Sequence, residues 1–168
     1  MTPPPQAPVH LRVVLAGVLA PEGLLLIRRR KPPYQGLWGL PGGKIEPGES
    51  APAAVARELR EECGIQVDDL RPLGRLVERL DEADGRRFLF DLHLFRVDLE
   101  EPTPVAAGGE GRVAFHPLDR LETHEGDYIP TDLLIIRHMI LPESCDDHET
   151  WVVADGREYV VHHFRRRG

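Results

Sequence analysis

The chain has 168 residues, 41% hydrophobic and 29% charged, which are values of a globular protein with enough apolar side chains for a core. A net charge of −7 argues against general affinity for nucleic acid or an anionic membrane. It leaves room for a phosphate substrate, because local charge and bound metal decide that. Two cysteines, Cys63 and Cys145, cannot build a disulfide framework and point to a reducing cytoplasm. No apolar run approaches the ~20 residues a membrane span needs, and the N-terminus lacks the basic and apolar regions of a signal peptide.

Residues 1–9 carry Pro3, Pro4, Pro5 and Pro8 and read as a disordered, polyproline-like lead-in to a single domain over 10–168. Leu11 to Ala20 is rich in Val and Leu and predicts a buried strand. Pro21-Glu22-Gly23 is a turn, and Leu24 to Arg30 the return strand of a hairpin. After a break at 31–36, Leu37 to Leu40 predicts a short strand entering the Gly-rich turn Pro41-Gly42-Gly43. A helix is expected from an N-cap at Ser50, with Pro52 in its first turn and Gly64 as its C-cap.

Leu73 to Leu80 and Phe88 to Val97 predict two strands; the second alternates in a way that suits a sheet covered on both faces. A small-residue loop at 102–109 precedes a strand over Arg112 to His116 and a turn into a short helix from Pro117. Pro130 to Ile140 predicts a helix, and about 149–164 a hairpin around Asp155-Gly156. Mixed rather than alternating strands and helices favour α+β architecture.

The densest signal lies within residues 43–65. Arg57, Glu58, Glu61 and Glu62 fall at i, i+1, i+4 and i+5, so one face of the expected helix gathers three carboxylates. Such a cluster is costly unless something cationic faces it, and a hard divalent cation wants these oxygen ligands. The Gly42-Gly43 turn just upstream can bring backbone groups to the same ion.

From Gly43 the chain reads Gly, five residues, Glu49, seven residues, then Arg57-Glu58-Leu59-Arg60-Glu61-Glu62-Cys63-Gly64-Ile65. This resembles the Nudix box, G-x5-E-x7-R-E-U-x-E-E-x-G-U with U apolar, and all nine defined positions are filled. The resemblance implies the Nudix fold: a mixed sheet between helices, with the box as loop–helix–loop. It implies a hydrolase of phosphoric anhydride bonds using Mg²⁺ or Mn²⁺. Glu58, Glu61 and Glu62 are then the metal ligands, helped by Gly42 and Gly43. Glu61 and Glu62 would serve catalysis, while Arg57 orients the glutamates with Glu49 as its loop partner. Some MutT-like members carry a glutamate before the aromatic aligned with Phe115, where this chain has Ala114; a fourth in-sheet carboxylate is therefore not expected.

Outside the box, Arg28 and Arg30 are candidates to clamp a phosphate, although a charged strand end also discourages aggregation. Trp38 could stack on a base or belong to the core. Glu110 and Glu125, in later polar loops, are candidate additional bases or ligands. The expected partner is a nucleotide-type small molecule, with no nucleic acid or membrane, in a monomer or homodimer. The expected substrates are nucleoside di- or triphosphates, with ADP-ribose or nucleotide sugars as alternatives. A non-catalytic nucleotide-sensing module is the contrasting reading, disfavoured by the complete box.

Overall fold

The computed structural model describes residues 7–106, 108, 112–156 and 158–168. Its centre is a mixed sheet of nine strands: β1 (Val9–Ala20), β2 (Gly23–Arg28), β3 (Trp38–Gly39), β4 (Gly42–Lys44), β5 (Arg71–Asp81), β6 (Arg87–Asp98), β7 (Val113–His116), β8 (His148–Asp155) and β9 (Glu158–Arg166). The main path runs β3-β2-β1-β6-β5-β8-β9, with β4 on β1 and β7 on β2. The long β1 lies parallel to β6, from Val9 opposite Phe88 to Leu19 opposite Asp98. The β5–β8 pair is also parallel, while β5–β6 and β8–β9 are antiparallel.

Alternation along the central strands divides the core into two layers. Val14, Ala16, Val18, Phe95 and Val97 pack against Ala54, Val55, Leu59 and Cys63 of helix α1 (Ala51–Cys63). On the other face, Leu92, Leu94, Leu24 and Leu26 meet Leu133, Ile135, Ile136, Met139 and Ile140. These belong to α3 (Pro130–Ile135) and the π-helical turn that continues it, Ile136–Ile140. The architecture is therefore α+β, a mixed sheet between helices, as expected from the sequence.

Local chemistry fixes the ends of α1. The Ser50 hydroxyl accepts from the Ala53 amide at 3.2 Å, and Gly64 closes the helix at φ 68° with its N–H on the Arg60 carbonyl. The short helix α2 (Leu118–Thr123) follows β7.

Several boundaries differ from expectation. β2 stops at Arg28 rather than Arg30, because Arg29 and Gly36 exchange into a loop closed by Arg29 N–H to Leu37 O and Gly36 N–H to Arg29 O. The expected helix over 130–140 keeps α geometry only to Ile135. β4 was not anticipated: three residues of the glycine turn pair with Val13–Leu15 of β1. Trp38 is partly buried and β3 is shorter than the expected 37–40 strand.

Candidate active site

The box folds back on its own helix through Arg57. Its Nε and Nη2 donate to the two oxygens of Glu49 at 2.8 and 2.9 Å, a bidentate pair across the loop. Nη1 donates to Glu58 at 2.9 Å and to Glu61 at 3.3 Å, and Nη2 also reaches the Lys44 carbonyl at 3.1 Å. One guanidinium thus ties three carboxylates and the end of β4 together. Its hydrogen bond holds Glu49 down at about 2, and Glu49 in turn raises the guanidinium further above its ordinary value.

Glu62 is nearly buried and accepts from the Gly42 amide at 3.0 Å. Gly43 lies against Glu58: a Cβ there would stand 2.4 Å from Glu58 Oε1 and 2.5 Å from its Cδ. Gly42 is equally constrained, at φ 157° with the Val14 carbonyl 1.9 Å from where a Cβ would be. The glycine pair is therefore required by close approach, both to β1 and to the acidic face of α1.

The structure thus brings Glu49, Arg57, Glu58, Glu61, Glu62, Gly42 and Gly43 together. Among the described residues no three acidic, His or Cys side chains converge on one point; Glu58 and Glu61 are turned onto Arg57 instead. The donor set still fits a hard divalent cation, being all oxygen and spread over adjacent turns of one helix face. Glu61 is the most open of these carboxylates, with 56% of its side chain exposed against 15% for Glu58.

The other candidates lie outside the box sequence. Arg28 and Trp38 line a cavity of about 570 Å³ at the β2–β7 edge, and none of the box residues lines it. Arg30 is exposed and does not line it. Glu125 pairs with Arg137. Glu110 lies outside the described residues. The loop leading to it does dock on the box helix, through Ala106 N–H to Cys63 O at 3.0 Å and Gly108 N–H to Glu62 O at 3.1 Å. Cys63 is buried, and burial with the neighbouring Glu62 pushes its thiol up to about 12, so it is an inert core residue.

A second polar group adjoins the box and was not anticipated. Asp132, buried in α3, accepts from the Leu40 amide at 2.8 Å, and one of its oxygens lies 2.7 Å from where a Cβ on Gly39 would stand. Glu78 of β5 is buried beside it, with the Tyr34 hydroxyl at 3.5 Å. Burial, and the charge of Asp132, raise Glu78 to about 7. Burial raises Asp132 to about 6, opposed by the Leu40 amide and the charge of Arg29. The Thr131 hydroxyl is buried next to both Glu78 and Tyr34 without a hydrogen bond of ordinary geometry. The residues between Gly39 and Gly42 connect this recess to Glu62. Two signals marked it in the sequence: a carboxylate on the apolar register Leu76-x-Glu78-x-Leu80, and an aspartate opening the apolar run Leu133 to Ile136.

A sheet between helices, with a glycine turn set against a three-glutamate helix, defines a Nudix hydrolase, and the chain belongs to that family: the NUDIX domain model matches residues 8–136. It is similar to a Mycobacterium tuberculosis protein provisionally named 8-oxo-dGTP diphosphatase 2, 34% identical over 72% of this chain and 82% of that one. It is also 34% identical to the oxidized purine nucleoside triphosphate hydrolase of Danio rerio, over 65% of this chain and 67% of the relative. In fold it matches the MutT protein structure from Bacillus halodurans, with TM-score 0.72, 23% identity and coverage of 93% and 97%. Members of this family generally work with a divalent metal.

Proposed function

We propose that the chain hydrolyses a phosphoric anhydride bond of a nucleoside triphosphate or diphosphate, with ADP-ribose or a nucleotide sugar as the alternative substrate class. The observation that carries this reading is Arg57 gathering Glu49, Glu58 and Glu61 while Gly42 and Gly43 pack on Glu62 and Glu58. Glu58, Glu61 and Glu62, with the backbone of Gly42 and Gly43, would hold Mg²⁺ or Mn²⁺, which when bound neutralises the diphosphate and acidifies a water. Arg57 gathers Glu58 and Glu61 on one side of the helix. Glu61, the most exposed, has room to take the proton as water attacks phosphorus in line. The bridging P–O bond breaks and the leaving phosphate carries away its electron pair.

Triphosphates are favoured by the names of the relatives, and the polar recess offers a place for the nucleobase. With Glu78 at about 7 and Asp132 at about 6, the pair offers both an O–H donor and carboxylate acceptors near neutral pH. That combination suits the edge of a nucleobase once Tyr34 is displaced. Free, unpaired Cys63 and Cys145 suit a reducing cytoplasm. A phosphate-release screen over oxidised and ordinary nucleoside triphosphates, ADP-ribose and nucleotide sugars tests the reading. A triphosphate should give the highest kcat/KM, and Asp132→Asn should raise its KM. Turnover of ADP-ribose alone would replace it with the alternative.

A further inference from the structure

Tyr34 stands in the polar recess with a backbone that its residue type resists. Its φ is 63°, in the left-handed region that a residue with a Cβ rarely adopts. The ring is nevertheless buried, packed with Leu80, Ile129 and Val152. Its hydroxyl donates to Glu78 at 3.5 Å. Burial, with the charges of Glu78 and Asp132, raises that hydroxyl well above the ordinary phenol range, so it keeps its proton. The loop that carries it is closed on itself. Arg29 Nε donates to the Pro33 carbonyl at 2.7 Å, the Gly36 amide to the Arg29 carbonyl at 2.9 Å, and the Leu37 amide to the Tyr34 carbonyl at 3.1 Å. A strained residue persists only where its surroundings hold it.

Part of that hold comes from the far end of the chain. Sheet order sets β9 two strands from β5, the strand of Glu78. Tyr159 of β9 pairs with Ala154 of β8 and, with Val161, packs against the cluster around Tyr34. Its hydroxyl accepts from the Tyr34 amide at 3.1 Å. The two rings lie 4.3 Å apart between centroids, tilted by 49°. Tyr159 lies beyond residues 8–136, which the NUDIX domain model matches.

From this geometry we infer that Tyr34 is an internal occupant of the recess and that Tyr159 is the positioning residue that holds it there, so that a base enters only when the 29–37 loop swings out. The inference rests on the reading of the recess as the place of the nucleobase. The ring that leaves shows what the incoming ring must supply: a face against Tyr159 and a donor towards Glu78, which the N–H groups of a purine edge offer. A ligand lacking either leaves the loop closed. The closed loop lowers apparent affinity by the fraction of time the recess is open.

The test is the Kd of a purine nucleoside triphosphate analogue with methylene bridges in place of its anhydride oxygens, measured by calorimetry in Mg²⁺. Tyr159→Phe keeps the ring and removes the acceptor of the Tyr34 amide. It should tighten binding about three- to tenfold, where a merely structural lesion would weaken it. Tyr34→Gly, which also relieves the positive φ, should tighten binding at least as much. Adding Tyr159→Phe to Tyr34→Gly should give no further gain, since the closed loop then carries nothing into the recess. In the unliganded Tyr159→Phe protein, the Gly36 and Leu37 amides should exchange with solvent about three- to tenfold faster, although neither bonds to Tyr159. Affinity unchanged or weakened in Tyr159→Phe would overturn the inference. So would additive gains in the double variant, faster exchange confined to the Tyr34 amide, or no binding by any of these proteins at millimolar analogue. Asp132→Asn separates the two readings. If it weakens the analogue while the tyrosine variants do not tighten it, the recess reading stands and the internal occupant falls. If it has no effect, both fall.

Discussion

Arg57 is the residue on which the site's geometry depends most. Its Nε and both terminal nitrogens are engaged with Glu49, Glu58, Glu61 and the Lys44 carbonyl, a set that a lysine's single ammonium cannot reproduce. Arg57→Lys should therefore reduce Mg²⁺ affinity or kcat/KM by about 10- to 100-fold, read as a metal titration of activity, with the fold intact. Gly43 makes a second prediction. Because a Cβ there would strike the Glu58 carboxyl at 2.4 Å, Gly43→Ala should displace that carboxylate and cut activity with little change in Tm. The box side chains were legible because helix periodicity places Arg57, Glu58, Glu61 and Glu62 on one face and the resemblance to the Nudix box adds Glu49. Asp132 and Glu78 were not: they meet from α3 and β5, and no spacing in one stretch records a meeting between two elements.

The elements show the same division. Strong local signals gave α1, its Ser50 and Gly64 caps and the β8–β9 hairpin, since capping and turn chemistry act within a few residues. The β4 strand escaped because three residues with two glycines carry no period of their own; pairing with Val13–Leu15 makes them a strand. Packing likewise decides how closely α3 and its π-helical continuation approach the sheet. Gly17 of β1 faces them, and a Cβ there would stand 2.3 Å from Ile140 Cγ2, a fully buried branched side chain. Gly17→Ala should cost about 1–3 kcal/mol and lower Tm by about 3–10 °C in thermal unfolding.

At the scale of the whole molecule, the buried carboxylates couple stability to pH. Glu78 rises from an ordinary 4.5 to about 7 and Asp132 from 3.8 to about 6, so both hold protons more tightly folded than unfolded. Their effect is absent below about pH 4, and stability falls as pH rises towards about 7, above which the full penalty remains. His93 and His116, both lowered by burial, contribute the opposite slope in part of this window. The readout is accordingly a difference: Glu78→Gln should gain stability relative to the parent between pH 5 and 8 by chemical denaturation. A gap that does not widen with pH would show that Glu78 is ionised in the folded chain.

The central claim, that the acidic face of α1 with the Gly42–Gly43 turn is a metal-dependent phosphoric-anhydride hydrolase, has one direct test. It is the rate of hydrolysis of a nucleoside triphosphate by the full chain and by Glu62→Gln, each titrated with Mg²⁺ after treatment with EDTA. The parent should be inactive without metal and saturate with it, while Glu62→Gln keeps its fold and loses about two or more orders of magnitude in kcat. Equal rates for the two proteins, or a rate indifferent to metal, would contradict the account.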